Sequence, residues 1–91
     1  MLMVVTYDIV NNRRRAKVHK LLMGYGDWRQ YSVFECDLGE RRLREMLAKL
    51  GRLIDPAEDS VCCYRLCALC AEGRITMGTA RPLERQIVMV V

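Results

Sequence analysis

Asp8 closes an apolar, largely β-branched run, Val4-Val5-Thr6-Tyr7-Asp8-Ile9. A carboxylate at a strand end emerges from a rigid frame, a common place for a ligand or a reacting group. The same carboxylate has a plain structural use, capping the next helix or forming an Asx-turn with Asn11 and Asn12 nearby. Soon after it, Arg13, Arg14, Arg15, Lys17 and Lys20 fall within eight positions, and no acid interrupts the chain between Asp8 and Asp27. Cations at a helix start oppose the partial positive charge already there, so a bound anion would offset them. The chemistry this suggests is contact with a phosphate backbone, against the plainer alternative of a solvated stripe. The net charge of +4 agrees with a polyanionic partner without requiring one.

Other chemistries are poorly served. No Ser/His/Asp set, phosphate loop or dinucleotide fingerprint is present. His19 is the only histidine and reads as a surface residue of the first helix. Cys63-x3-Cys67-x2-Cys70 has a spacing found in cluster-binding loops of radical enzymes, but those need a barrel far larger than this chain. A zinc site would want four ligands. Cys36, Cys62, Cys63, Cys67 and Cys70 are odd in number, with four of them on one apolar segment. They read as free thiols that pack as small hydrophobes.

The elements that must position Asp8 and the basic run follow from periodicity. Leu2 to Ile9 reads as a central strand, covered on both faces or on one face and an interface. Asn11 or Asn12 supplies an N-cap, and Arg13 to Gly24 a helix with Val18, Leu21 and Leu22 inward. The 100° step sets Arg13, Arg14, Lys17 and Lys20 on its solvent side. Trp28 to Leu38 has strand character with a slip near Ser32-Val33-Phe34, a bulge or two short strands meeting at a bend. Glu40 to Leu50 is a helix with Leu43, Met46, Leu47 and Leu50 on one face, and Gly51 is a plausible stop. Asp55-Pro56 begins a turn, Val61 to Leu69 a strand, Gly73 to Met77 a short strand, and Ile87 to Val91 a closing one.

This order predicts an α+β, ferredoxin-like βαββαβ sandwich with an extra C-terminal strand. With 91 residues and no linker or repeat, positions 1–91 form one domain. Such a chain has a thin core, and association into a homodimer is one remedy. The apolar 87–91 tail needs a sheet to join, either its own or, as favoured here, that of a partner subunit. No apolar run reaches the roughly 18–20 residues of a membrane span. The first residues lack a basic n-region and do not read as a signal peptide, so the expected address is cytoplasmic.

The ordered pieces Val4-Val5-Thr6-Tyr7-Asp8-Ile9, Arg14-Arg15-Ala16-Lys17-Val18, Tyr25-Gly26, Gln30-Tyr31-Ser32-Val33-Phe34-Glu35-Cys36 and Asp55-Pro56-x-Glu58-Asp59-Ser60-Val61 resemble the second of the universal CRISPR-associated proteins, a family of small adaptation proteins and endonucleases. The resemblance implies a symmetric dimer whose C-terminal strand packs on the partner. It implies a role in spacer acquisition for antiviral defence, with the dimer bridging an integrase subunit's dimers and holding the duplex spacer precursor. It also implies Mg²⁺- or Mn²⁺-dependent cutting of RNA or DNA, with Asp8 of each subunit as catalytic residue and metal ligand at the dimer cleft. Tyr7, Arg15, Lys17, Ser32 and Phe34 match positions linked to activity or to the cleft. Where many members carry a basic residue and then an aliphatic one before Gln30, this chain has Trp28-Arg29. The competing reading is a non-catalytic scaffold that grips duplex DNA through Arg13, Arg14, Lys17, Arg41 and Arg42.

Overall fold

A computed structural model describes residues 1–78. The elements run β1 (Leu2–Asp8), α1 (Asn12–Met23), β2 (Asp27–Gln30), β3 (Val33–Asp37), α2 (Glu40–Leu53), β4 (Ser60–Leu66) and α3 (Ala68–Glu72). The four strands form one sheet in the order β2-β3-β1-β4. Each neighbouring pair is antiparallel. This is the ferredoxin-like arrangement, and the described chain reads βαββαβα. The expected closing strand at 87–91 lies outside the described residues.

Alternation along β1 divides its side chains between two faces. Met3, Val5 and Tyr7 join Phe34 and Cys36 of β3 in a core closed by Val18 and Leu22 of α1 and Met46 and Leu50 of α2. Val5, Val18, Leu22, Phe34, Cys36 and Met46 are fully buried. Burial pushes the Cys36 thiol up to about 11, helped by the nearby Cys63, so it stays protonated. The other face carries Leu2, Val4, Thr6 and Asp8. There, among the described residues, α3 covers one end, where Ala71 packs on Leu2 and Leu66. Beside it the buried Glu35 pairs with Arg29 and Arg74.

Local signals explain most boundaries. Asn11 is the N-cap of α1, its side chain accepting the Arg14 N–H at 2.9 Å. Gly26 lets α1 turn closely into β2: a Cβ there would stand 2.8 Å from Cys36 Cα and nearer still to the Glu35 carbonyl oxygen. The slip near Ser32 resolves into two strands, a register shift between Trp28 and Gln30, and a two-residue turn with Tyr31 at φ 45°. Trp28 Nε1 donates to the Tyr31 carbonyl at 2.8 Å across that turn.

Three expectations are corrected. Helix α2 continues through Gly51 to Leu53. Leu53 packs on the core, and that burial outweighs the roughly 1 kcal/mol a helical glycine costs. Strand β4 ends at Leu66, and Cys67 caps α3, so the segment read as a short strand at 73–77 is the end of a helical turn followed by irregular chain. Packing does not account for most of the thiols: Cys36 is buried, Cys63 half-buried, and Cys62, Cys67 and Cys70 are exposed. Cys67 is pulled below the ordinary thiol range by the Cys70 N–H and side chain. No helix among the described residues is long and apolar enough to cross a membrane.

Candidate nucleic-acid interface

The carboxyl end of β1 is pinned on both sides of Asp8. Tyr7 and Ile9 are buried, and the Tyr7 N–H donates to the Ser32 carbonyl at 3.2 Å. The Ile9 carbonyl accepts from Arg15 Nη1 at 2.9 Å, and Arg15 also reaches the Asn12 side chain. The Val10 N–H donates to Asp59 Oδ1 at 3.2 Å. Asp8 itself is exposed, opposite Ser60 in the register with β4. The structural duties Asp8 could have had are met elsewhere: Asn11 caps the helix and Asp59 holds the Val10 N–H. Its carboxylate takes no hydrogen bond or ion pair among the described residues, so a rigid strand end presents a free anion to solvent.

Asp59 is the organiser that sequence reading placed only in a turn. Arg14 Nε donates to Asp59 Oδ2 at 2.8 Å and Arg14 Nη2 to Glu58 at 2.8 Å, while Oδ2 also accepts the Asp55 N–H at 2.9 Å. The Arg14 guanidinium, followed by the Asp55 N–H, holds the Asp59 carboxyl down at about 2. The only early signal was an acid just before an apolar strand, and its partner lies 45 residues away.

The basic run therefore divides. Arg14 is consumed in a network with Asp59 and Glu58, and Arg15 braces the β1 end. Arg13, Lys17 and Lys20 are exposed and have no ion pair among the described residues. They are the residues of the run left free for an anion.

The other proposed site residues fall on the far side of the sheet or at its rim. Phe34 is fully buried in the helix-side core, so its ring has no surface to offer a nucleic acid. Tyr7 is buried on the same side, 6.3 Å from Phe34 between ring centroids. Its hydroxyl meets His19 Nδ1 at 3.2 Å, and burial pushes the phenol up. His19, expected at the surface, packs edge-on against Phe34 and Trp28. Ser32 is half-buried at the hairpin and serves the β1 end through its carbonyl. Of the set, the structure gathers Asp8, Arg15 and Ser32 around one strand end.

As a metal centre, one copy of the chain supplies a single free carboxylate at this place. Among the described residues no three His, Cys, Asp or Glu side chains converge. That donor set suits an ion such as Mg²⁺, which keeps several waters and takes one or two carboxylates with phosphate oxygens. It does not suit a cation caged wholly by one chain.

Known proteins resemble this chain in sequence and fold. The family model for the CRISPR associated protein Cas2 matches residues 1–74. The chain is 44% identical over 78 residues to CRISPR-associated endoribonuclease Cas2 3 of Chloroflexus aurantiacus, covering 86% of this chain and 84% of that relative. It is 40% identical over 86 residues to CRISPR-associated endoribonuclease Cas2 1 of Synechocystis sp., covering 90% and 92%. The crystal structure of Streptococcus pyogenes Cas2 at pH 6.5 superposes with a TM-score of 0.77 at 31% identity, over 86% of this chain and 100% of that one. With its sheet order, its Asp8 strand end and these matches over most of its length, the chain belongs to the Cas2 family of CRISPR-associated proteins.

Proposed function

We propose that this chain acts in CRISPR adaptation as a homodimer that binds nucleic acid and cleaves phosphodiester bonds at Asp8 with Mg²⁺ or Mn²⁺. The observation that carries the reading is the free, exposed carboxylate of Asp8 on a strand end whose capping duties fall to Asn11 and Asp59. One such group per chain is too few for a cleavage centre, and a second copy related by a two-fold axis doubles it. The open sheet face supports that pairing, since half-buried Val4, Thr6 and Val33 lie beside exposed Tyr64 with no helix over them among the described residues. When bound, the divalent ion supplies charge neutralisation at the phosphate and an activated water. The chain's own contribution is to hold Asp8 rigidly, through buried Tyr7 and Ile9 and the Arg15 brace.

The relatives named endoribonucleases support RNA as substrate. A second reading, a non-catalytic scaffold that joins integrase dimers and holds duplex DNA, is favoured by the unpaired Arg13, Lys17 and Lys20. Reconstitution with the integrase subunit on a repeat-containing target separates them. The enzyme reading predicts that Asp8→Asn lowers metal-dependent cleavage at least about a hundredfold while nucleic-acid affinity is retained. Cleavage at the wild-type rate would sink that reading. Full spacer integration by Asp8→Asn would make the scaffold role primary.

A further inference from the structure

Cys67 and Cys70 serve neither the core nor the Asp8 strand end, yet the fold sets them against each other. Cys67 is the N-cap of α3, with extended backbone, and its Sγ accepts the Cys70 N–H at 3.4 Å. The Cys70 side chain lies within hydrogen-bonding reach of the same sulfur. N-cap and N3 side chains meet in this way when a cap closes on the third residue of a helix. The turn is fixed at its base, where the Ala71 N–H donates to the Cys67 carbonyl at 2.9 Å. Ala71 also packs on Leu2 and Leu66, which anchors the turn to the sheet. Closing a Cys67–Cys70 bond is therefore a change within one turn, and both residues are exposed.

The other thiols are placed differently. Cys36 is fully buried and stays protonated, and burial also pushes the half-buried Cys63 thiol up. Cys62 is exposed, but successive strand residues point to opposite faces, so Cys62 and Cys63 do not face each other. Within the Cys67–Cys70 pair the two sulfurs are not equivalent. Cys67 lines a cavity of about 400 Å³ together with Leu2, Leu66, Ala68 and Ala71, whereas Cys70 is not part of that lining. Cys67 is also the thiol drawn below its ordinary range by the Cys70 N–H and side chain, while Cys70 is pushed above it by Cys67. A small molecule entering the cavity reaches Cys67, and the second thiol stands behind it.

We propose that Cys67 and Cys70 form a redox-active dithiol that exchanges with low-molecular-weight disulfides, Cys67 as the attacking thiol and Cys70 as the resolving one. The Cys67 thiolate attacks one sulfur of the small disulfide, forming a mixed disulfide and releasing one thiolate. That thiolate takes up the proton Cys67 gave up. The Cys70 thiol then loses its proton, attacks the Cys67 sulfur and releases the second small thiol. The pair gives up two electrons and two protons, and the small disulfide gains them as two thiols. The site stands apart from the Asp8 reading. Leu2, on which α3 packs, and Asp8 are opposite ends of β1, roughly 20 Å apart at the strand rise.

The test incubates the full, reduced chain in glutathione buffers of rising disulfide content, quenches with iodoacetamide and reads the tryptic peptides by mass. Cleavage after Arg65 and Arg74 leaves Cys67 and Cys70 together on peptide 66–74, apart from Cys36 and from Cys62 and Cys63. That peptide should lose two hydrogens and escape alkylation while the peptides carrying the other thiols are still alkylated. The folded chain should be half-oxidised there at a disulfide content at least about tenfold lower than the same chain in concentrated urea. Cys70→Ser should stop at the mixed disulfide, with glutathione retained on Cys67. Cys67→Ser keeps an N-cap oxygen, and its remaining Cys70 should react at least about tenfold more slowly than Cys67 does in Cys70→Ser. Equal half-oxidation in the folded and unfolded chain, or earlier oxidation of the peptide carrying Cys62 and Cys63, overturns the pair. Equal rates in the two single variants overturn Cys67 as the attacking thiol.

Discussion

The two faces of the central sheet are built from the same strands but are finished differently. On the helix side, Val5, Phe34 and Cys36 are fully buried under Val18, Leu22 and Met46. On the other side, Val4, Thr6 and Val33 remain half-exposed, Tyr64 is 56% exposed, and among the described residues only α3 and the Glu35–Arg74 ion pair cover part of the surface. One face holds the chain together, and the other is the surface proposed above for a second copy. The near-continuous apolar character of β1 fits that proposal, because a strand covered on both sides would not show a clean polar alternation.

Removing a core ring tests the closed face most severely. Phe34→Ala should cost about 3–5 kcal/mol, a large share of the stability of so small a chain, and lower the urea midpoint accordingly. Phe34→Leu should restore most of the stability and, with it, any activity. If Phe34→Ala lost activity with its urea midpoint unchanged, Phe34 would belong to a working cleft after all.

The next largest effect lies at the edge between the faces. Asp59→Asn should lower the melting temperature by more than about 5 °C at pH 7, since Arg14 and the Val10 and Asp55 N–H groups lose their anion. The sign with pH is set by the depressed carboxyl. Folded Asp59 titrates at about 2 against its ordinary 3.8, so its stabilisation is complete above 3.8 and is lost as pH falls toward 2. The gap between wild type and variant should close over that interval in thermal melts. A gap constant from pH 7 to 2 would show that the ion pair is not what the substitution removes.

Smaller changes probe the open face. Tyr64→Ala should leave monomer stability nearly unaltered but weaken self-association about tenfold by sedimentation across a dilution series. An unchanged dimer constant would place the partner on another surface. The smallest effect belongs to Asp8: Asp8→Asn should shift the melting temperature by no more than about 2 °C, because its carboxylate holds no structural contact among the described residues. A large loss of stability would return Asp8 to a structural role.

Much of the frame was readable in advance. Helix α1 was legible from Asn11 and the Val18, Leu21, Leu22 spacing, and α2 from Leu43, Met46, Leu47 and Leu50. These signals are local, since capping and amphipathic periodicity involve residues within a turn or two. The end of α2 was misread because Gly51 is an unfavourable helical residue locally, and the burial of Leu53 that overrides it depends on the packed core. The thiols were misread because the stretch changes from strand to helix cap at Cys67, which leaves Cys67 and Cys70 exposed, while Cys62 pairs with Thr6 on the face of β4 away from the long helices.

By itself, the sequence determined the order of elements, the strand-end position of Asp8 and the run of cations on α1, together with the motifs that mark the Cas2 family. Only the tertiary structure decided which of those charges are available. Arg14 is bound to an acid 45 residues away, Arg15 braces the Ile9 carbonyl, and Lys17 and Lys20 face Arg42 and Lys49 across a groove. It also decided that Phe34 and Tyr7 face the core while Asp8 faces out. The physical reason is that strand register alternates faces with every residue, and the partners that neutralise or release a charge meet only when distant strands and helices are brought side by side.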